Sequence, residues 1–355
     1  MTRKSRKMDH VRYALSIGQS GHNGLEDVRF VHNPLPDTSL EHISLSTRIG
    51  DLVMSSPILI NAMTGGAEDT ERINYGLAAA AKETGVAMAL GSQMAAIRDP
   101  QTIASYRIAR TTNPSGLLFA NLGSEATVDQ ALRAVEMVEA NALQIHLNAV
   151  QELVMPEGDR SFDGMLHRIE AIVKRAEVPV IVKEVGFGMN SDAASKLLAL
   201  GVAAVDCGGR GGTNFSAIEN ARRKRRLAWF DEWGTTTSAS LLEVLSCGRP
   251  EQVIASGGIR SGIEAAKALA LGAGAVGMAG AFLRVLAERG IEALIEEMRL
   301  ILDDLALIMT AVGAKDLREI RQTPLVIAGE TADWCRARGI SLEDYARRGR
   351  DLHIE

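Results

Sequence analysis

The feature that most constrains this chain is a regular beat. From residue 57 onward, short apolar runs alternate with longer stretches of helical period, and each run ends in a glycine or a small polar residue. Apolar runs bounded by turn residues read as buried strands, and the stretches between them as helices. The strand candidates are Pro57–Ala62, Val86–Leu90, Leu117–Ala120, Ala142–His146, Val180–Val182, Ala203–Asp206, Gln252–Ala255 and Ala275–Met278, eight in all. Helices are expected over Asp69–Thr84 and Thr127–Glu139, and over Ser191–Leu200 and Ser261–Leu271, the last two each opened by a serine N-cap.

One distinctive residue after each strand marks the period: Thr64, Ser92, Asn121, Gln151, Lys183, Thr213, Gly257 and Ala279 stand 28, 29, 30, 32, 30, 44 and 22 residues apart. That is the length of successive βα units. Eight units in a row imply an α/β chain closed into a (β/α)8 TIM barrel. An open doubly wound sheet would more often stop at five or six strands and carry an early G-x-G-x-x-G turn, which is absent. The long sixth interval predicts an extended loop, roughly residues 208–236, on the functional rim. Ile291–Val312 reads as a further apolar helix, and the remainder as a charged tail. No linker sets off a second domain, so residues 1–355 are expected to form a single barrel domain, with a segment of about residues 1–50 ahead of the barrel.

Composition agrees with many tight strand-to-helix turns: 34 glycines, 46% hydrophobic residues and only 4% aromatic ones. The net charge of −5 disfavours nucleic acid and anionic membrane as partners, so an anionic ligand needs a local basic site. Two basic clusters exist, one at Arg3, Lys4, Arg6 and Lys7, the other at Arg222–Arg226, which reads as a solvated stretch. Three cysteines without metal spacing and the lack of an apolar leader or a membrane-length apolar run point to a cytoplasmic protein.

In such a barrel, catalytic groups come from the C-terminal strand ends, and phosphate is held by the turns after the seventh and eighth strands. Here those turns are Ala255–Gly262, ASGGIRSG, and Gly277–Phe282, GMAGAF. Glycine lets backbone N–H groups approach an anion, and Ser261 opens a helix whose dipole favours negative charge. Either turn alone could be an ordinary tight connection; both together point to a phosphate-bearing ligand such as FMN. Lys183 closes the apolar run VIVKEVG, where a buried ammonium needs an electron-rich partner: a flavin, or a neighbouring carboxylate such as Glu152 or Glu184. NAMTGGA, Asn61–Ala67, offers small residues on which a planar ring can lie. The fourth strand and its turn, QIHLNAVQE, put His146, Asn148, Gln151 and Glu152 on the rim; His146 is either a ligand contact or a satisfied core histidine.

Taken together, RKMDH, NAMTGG, LGSQ, NLG, QIHLNAVQE, VIVKEVGFG, GGRGGTNF, SGGIRSG and GMAG resemble, in order and over nearly the whole chain, the type 2 isopentenyl-diphosphate isomerases, FMN-dependent TIM barrels related to the hydroxy-acid oxidases. The resemblance implies interconversion of isopentenyl and dimethylallyl diphosphate by an allylic proton shift, with reduced FMN as acid and base through N5 and NADPH needed only as reductant. It implies FMN contacts from Met63, Thr64, Gly65, Ser92, Asn121, Lys183, Thr213, Gly257, Gly258, Ile259, Ala279 and Gly280. Substrate contacts would come from Arg6, Lys7, His10, Ser92, Gln93, Met94 and Gln151, with Glu152 on Mg2+ and with Gln151, His146 and Asn148 as candidate catalytic groups. A homotetramer or homooctamer is implied as well.

Two other readings compete. An FMN-dependent hydroxy-acid dehydrogenase would need a histidine base near the sixth or seventh strand end, yet the seven histidines (10, 22, 32, 42, 146, 167 and 353) leave none between 168 and 352. A flavin-binding regulatory barrel would need none of Arg6, Lys7, Gln151 and Glu152, all of which are present.

Overall fold

The computed structural model describes residues 21–349. Eight parallel strands, taken here as β1 to β8, run Ile58–Ile60, Ala87–Ala89, Leu118–Gly123, Ala142–Leu147, Val180–Glu184, Ala204–Asp206, Val253–Ser256 and Ala275–Met278. They follow one another in chain order and close β8 onto β1, with Val276 opposite Ile58 and Met278 opposite Ile60. Every expected strand is present, and the fold is the α/β TIM barrel that the beat predicts.

Side chains alternate along each strand, so one set packs outward on the helices and the other fills the barrel. Ile58, Ile60, Leu143, Ile145, Val180, Val182, Val253 and Ala255 belong to the outer layer. Leu59, Phe119, Ala142, Ile181, Ala204, Ile254 and Ala275 make the inner one. Two residues further along six of the eight strands, at the same inward phase, the character changes from apolar to polar: Asn61, Asn121, Gln144, Lys183, Asp206 and Ser256. The barrel thus has an oily lower layer and a polar upper layer. On the lower side an antiparallel hairpin, Thr47–Ile49 with Leu52–Met54, sends Ile49 and Met54 into the inner cluster. It is tied to the turns leading into β7 and β8 by Gly50 N–H to Glu251 O, 3.0 Å, and Thr47 Oγ1 to Gly274 O, 2.7 Å.

Helices Glu68–Thr84, Val128–Met137, Ser191–Ala199 and Gly262–Leu271 occupy their expected places, and Ile291–Val312 is helical as read. One cap differs. Ser261 does accept from the Glu264 amide, but the N-cap of the other helix is Asn190, which accepts from Ala193 N–H. Ser191 instead gives its hydroxyl and amide to Glu243. Residues 208–236 are more structured than an extended loop, holding a short helix, Phe215–Asn220, and a 3-10 turn, Ala228–Phe230. The charged tail is also built: Leu325–Ile327 pairs antiparallel with Val28–Phe30, and helix Gly329–Ala337 follows.

Candidate active site

The upper layer floors a cavity of about 920 Å3 at the C-terminal end of the strands. That volume lies near the upper end of small-molecule sites, room for a flavin mononucleotide and a short diphosphate side by side. Its central charge is a buried ion pair. Lys183 Nζ lies 3.5 Å from Asp206 Oδ2, and donates to Glu184 O at 2.9 Å and toward Ser256 Oγ at 3.4 Å. The partner is therefore Asp206, not the Glu152 or Glu184 carboxylates weighed from the sequence. Asp206 is fully buried and also accepts from Ser256 Oγ, from Asn61 Nδ2 at 2.7 Å and from Gly208 N–H at 3.2 Å. Such satisfaction is what allows a charge to persist without solvent.

Burial pushes the neighbouring Glu184 carboxyl up to about 8, against the Phe187 and Gly188 amides and Lys183, which pull it down. Burial first, and the charge of Asp206 second, push the Cys207 thiol up to about 12, so it stays a neutral thiol. Tyr106, also raised by burial, donates from its hydroxyl to Ser92 O at 2.5 Å and supports the β2 turn from behind.

On the far side the turns after β7 and β8 have the glycine geometry expected of them. Gly257 (φ +117) and Gly258 (φ +71) sit against Gly209 O and Gly211 O, at 2.0 and 2.2 Å from where a Cβ would stand, so no side chain fits there. Ala279 caps helix Gly280–Arg289 and both line the cavity with Ile259. A helix start and bare backbone at one end, a buried ammonium in the floor and Met63 and Thr64 along one wall fit a flavin phosphate, its ring edge and its ring face respectively. In that placement Lys183, Asn121 and Thr213 would hold the ring system and Gly257, Gly258 and Gly280 the phosphate.

Most of the residues singled out in the sequence line this one cavity: Met63, Thr64, Ser92, Met94, Asn121, His146, Asn148, Gln151, Glu152, Lys183, Thr213, Gly257, Gly258, Ile259, Ala279 and Gly280. Two do not. Gly65 is the floor on which the Tyr106 ring rests. Gln93 is fully buried, accepting from Asn121 N–H at 3.0 Å and donating to Ala134 O at 2.9 Å, which makes it a staple beneath the turn. Arg6, Lys7 and His10 lie outside the described residues. The described chain begins at Gly21 beside the β7 turn: Asn23 Nδ2 donates to Gly258 O and to Glu264 Oε1, and Arg260 donates to Gly21 O.

At the β4 end, Asn148 Nδ2 and the Asp159 amide each donate at 2.9 Å to separate oxygens of Glu152, aiming the carboxylate while leaving lone pairs on both. Among the described residues no cluster of three or more metal-ligating side chains exists, so a cation at Glu152 would need ligand oxygens and water. Gln151 Nε2 donates to Glu219 Oε1 at 3.2 Å, and fully buried Glu219 is paired with Arg222, which also reaches Glu157. The reading of residues 222–226 as solvated is thus corrected at its first member: Arg222 lines the cavity, Arg223 donates to Val154 O, and Lys224, Arg225 and Arg226 are exposed. Asn61, Gln144, Asp206, Ser256 and Glu219 are the functional-layer residues that motif reading missed; the inward phase of each strand was the available signal for the first four.

The barrel, the glycine turns and the buried lysine define a class, and the comparisons agree with it. The family model for FMN-dependent dehydrogenases matches residues 147–327. Solved flavocytochrome b2 superposes with a TM-score of 0.65 at 18% identity over 100% of this chain and 86% of that one, and mandelate oxidase with 0.61 at 16% over 89% and 92%; these carry the fold. Sequence narrows the class. Isopentenyl-diphosphate delta-isomerase of Bacillus licheniformis is 53% identical over 98% of this chain and all of its own length, and that of Bacillus thuringiensis 56% over the same shares. The chain belongs to the FMN-dependent, type 2 isopentenyl-diphosphate delta-isomerase family.

Proposed function

We propose that this isomerase moves the double bond of isopentenyl diphosphate in the upper cavity of the barrel, over reduced FMN, with NADPH as the reductant and Mg2+ between Glu152 and the diphosphate. The observation that carries this reading is the buried Lys183–Asp206 pair beneath a cavity edged by the β7 and β8 glycine turns. Bound there, reduced FMN would supply the acid and base of the double-bond shift. The chain's own residues bind, orient and exclude water.

Gln151 faces the cavity with its amide nitrogen held by Glu219, so its carbonyl oxygen has a set direction relative to a bound alkene. Ser92 and Met94 border the same space, and Met155 and Phe162 supply apolar wall for a five-carbon chain. Arg6, Lys7 and His10, together with His146 and Asn148, are proposed to grip the diphosphate, with the segment of about residues 1–50 completing a single domain of residues 1–355. We further propose a cytoplasmic homotetramer or homooctamer. Among the described residues no helix is long and apolar enough to cross a membrane.

The test is product formation by the FMN-reconstituted protein under anaerobic conditions, with isopentenyl diphosphate, Mg2+ and NADPH omitted in turn. Dimethylallyl diphosphate should appear only when flavin is reduced and Mg2+ present, and Glu152→Gln should raise the Mg2+ requirement. Near-wild-type turnover in Gln151→Ala would remove Gln151 from the chemistry. A reduced protein that leaves the alkene untouched would overturn the reading.

A further inference from the structure

A line of hydrogen bonds runs beneath the cavity from the buried ion pair to His146, and its direction is forced. Asp206 accepts only, engaged as it is by Lys183, Ser256, Gly208 N–H and Asn61. Asn61 therefore presents Nδ2 to Asp206. The same orientation is required independently by the Ala62 amide, a pure donor, which bonds to Asn61 Oδ1 at 2.9 Å.

With Asn61 Oδ1 facing inward, the next member must donate: Gln144 Nε2 to Asn61 Oδ1, 3.2 Å. That leaves Gln144 Oε1 as acceptor for Asn121 Nδ2, 3.3 Å. Asn121 Oδ1 is then turned to His146 Nδ1 at 2.9 Å. An amide oxygen cannot donate, so the ring nitrogen must. Gln144 is fully buried and Asn61 and Asn121 almost so, which removes water as an alternative partner. Space for the line is made on β8, where a Cβ on Gly277 would stand 2.4 Å from Asn61 Nδ2.

We infer that Asn61, Gln144 and Asn121 are positioning residues that set the tautomer of His146, fixing the proton on Nδ1 and making Nε2 the unprotonated nitrogen of the neutral ring. His146 lines the cavity, so the tautomer decides what the ring offers at Nε2. The neutral ring can accept a hydrogen bond at that atom or take up a proton. It can donate to an anionic oxygen only as imidazolium. This last consequence rests on the diphosphate reading above; the tautomer does not.

The experiment is solid-state 15N NMR of the full FMN-bound chain labelled at histidine, without substrate, at about pH 9, above the ordinary range of imidazole titration. The His146 signals are assigned by their loss in His146→Gln. The expected result is a protonated Nδ1 and an unprotonated, downfield Nε2. A protonated Nε2 in the wild-type protein overturns the inference with no further variant needed. Gln144→Leu cuts the line, lets Asn121 turn its amide, and should bring up a second, Nε2-protonated population. Gln144→Glu still accepts from Asn121 in either protonation state and should keep the wild-type pattern. An unchanged spectrum in Gln144→Leu shows that the tautomer is set elsewhere and overturns the role of the amides.

Discussion

A methyl group on Gly65 would stand 2.1 Å from the Tyr106 ring, whose hydroxyl in turn holds Ser92 O. Gly65→Ala is therefore expected to cost roughly 1–3 kcal/mol of stability, as overpacking of a tight core does. Thermal unfolding checks the cost, and weakened FMN binding would show that the strain reaches the β2 turn. The Lys183–Asp206 pair has a different signature. Lys183→Met leaves a buried carboxylate without its cation, a loss of about 3 kcal/mol or more. Adding Asp206→Asn removes the stranded charge, so the double variant is expected to unfold at a higher temperature than Lys183→Met alone, although neither should bind FMN as the wild type does. Additive losses in that cycle would dissolve the pair. Lys183 was legible in the sequence because a cation inside VIVKEVG breaks an apolar run. Asp206 and Asn61 were not, because each sits at a strand end, where a polar residue also reads as the start of a turn. The inward phase of each strand was the signal that could have placed them in one layer with Lys183, and the closed barrel shows that they meet there.

Helix Gly329–Ala337 of the C-terminal tail is anchored at its end by an acid. Glu243, on helix Thr237–Leu245, accepts from Arg338 Nε at 2.6 Å, Trp334 Nε1 at 3.0 Å, and Ser191 N–H and Oγ. Burial raises its carboxyl, but these partners outweigh it and bring the pKa from 4.5 down to about 2. A carboxylate depressed in the folded state contributes stability that is complete above the unfolded value and lost as pH falls through the folded one. The gap in unfolding temperature between wild type and Glu243→Gln should thus hold constant above pH 4.5 and shrink between there and about pH 2. A gap independent of pH would mean that Glu243 acts through packing. The tail was opaque in the sequence because its elements are short and its acids and bases look solvated. Trp334 and Arg338 acquire a purpose only once helix Gly329–Ala337 is laid on Glu243, 91 and 95 residues away from them in the chain. The long apolar helix Ile291–Val312, by contrast, carries its pattern within itself and was legible.

The whole molecule is a barrel closed below and open above, and its regular beat of βα units is why the architecture could be read at all. The closure below could not be read, since Thr47–Ile49 and Leu52–Met54 are three residues each and their role is defined by what they plug. Ile49→Ala is expected to cost about 2–5 kcal/mol, the range for emptying a filled core site. Its effect on turnover well below the unfolding temperature should be small, because the hairpin lies under the apolar layer and away from the cavity. A large loss of turnover in a folded Ile49→Ala protein would contradict that separation.

The pairing of Val28–Phe30 with Leu325–Ile327 has a consequence for how the chain is made. Ala328 N–H to Asp27 O at 3.0 Å and Thr331 N–H to Asp27 Oδ2 at 2.9 Å add to the same clasp. A ribosome delivers the first of these segments before any barrel strand and the second after all of them. Until the second segment emerges the early strand has an open edge and no partner, whereas β1 meets β8 sooner, since Ala275–Met278 precedes Leu325–Ile327 in the chain. All eight barrel strands and both phosphate turns are delivered by Phe282, and the clasp strand begins 43 residues later at Leu325, so a chain stalled between the two would hold every barrel strand while its early strand still lacked a partner.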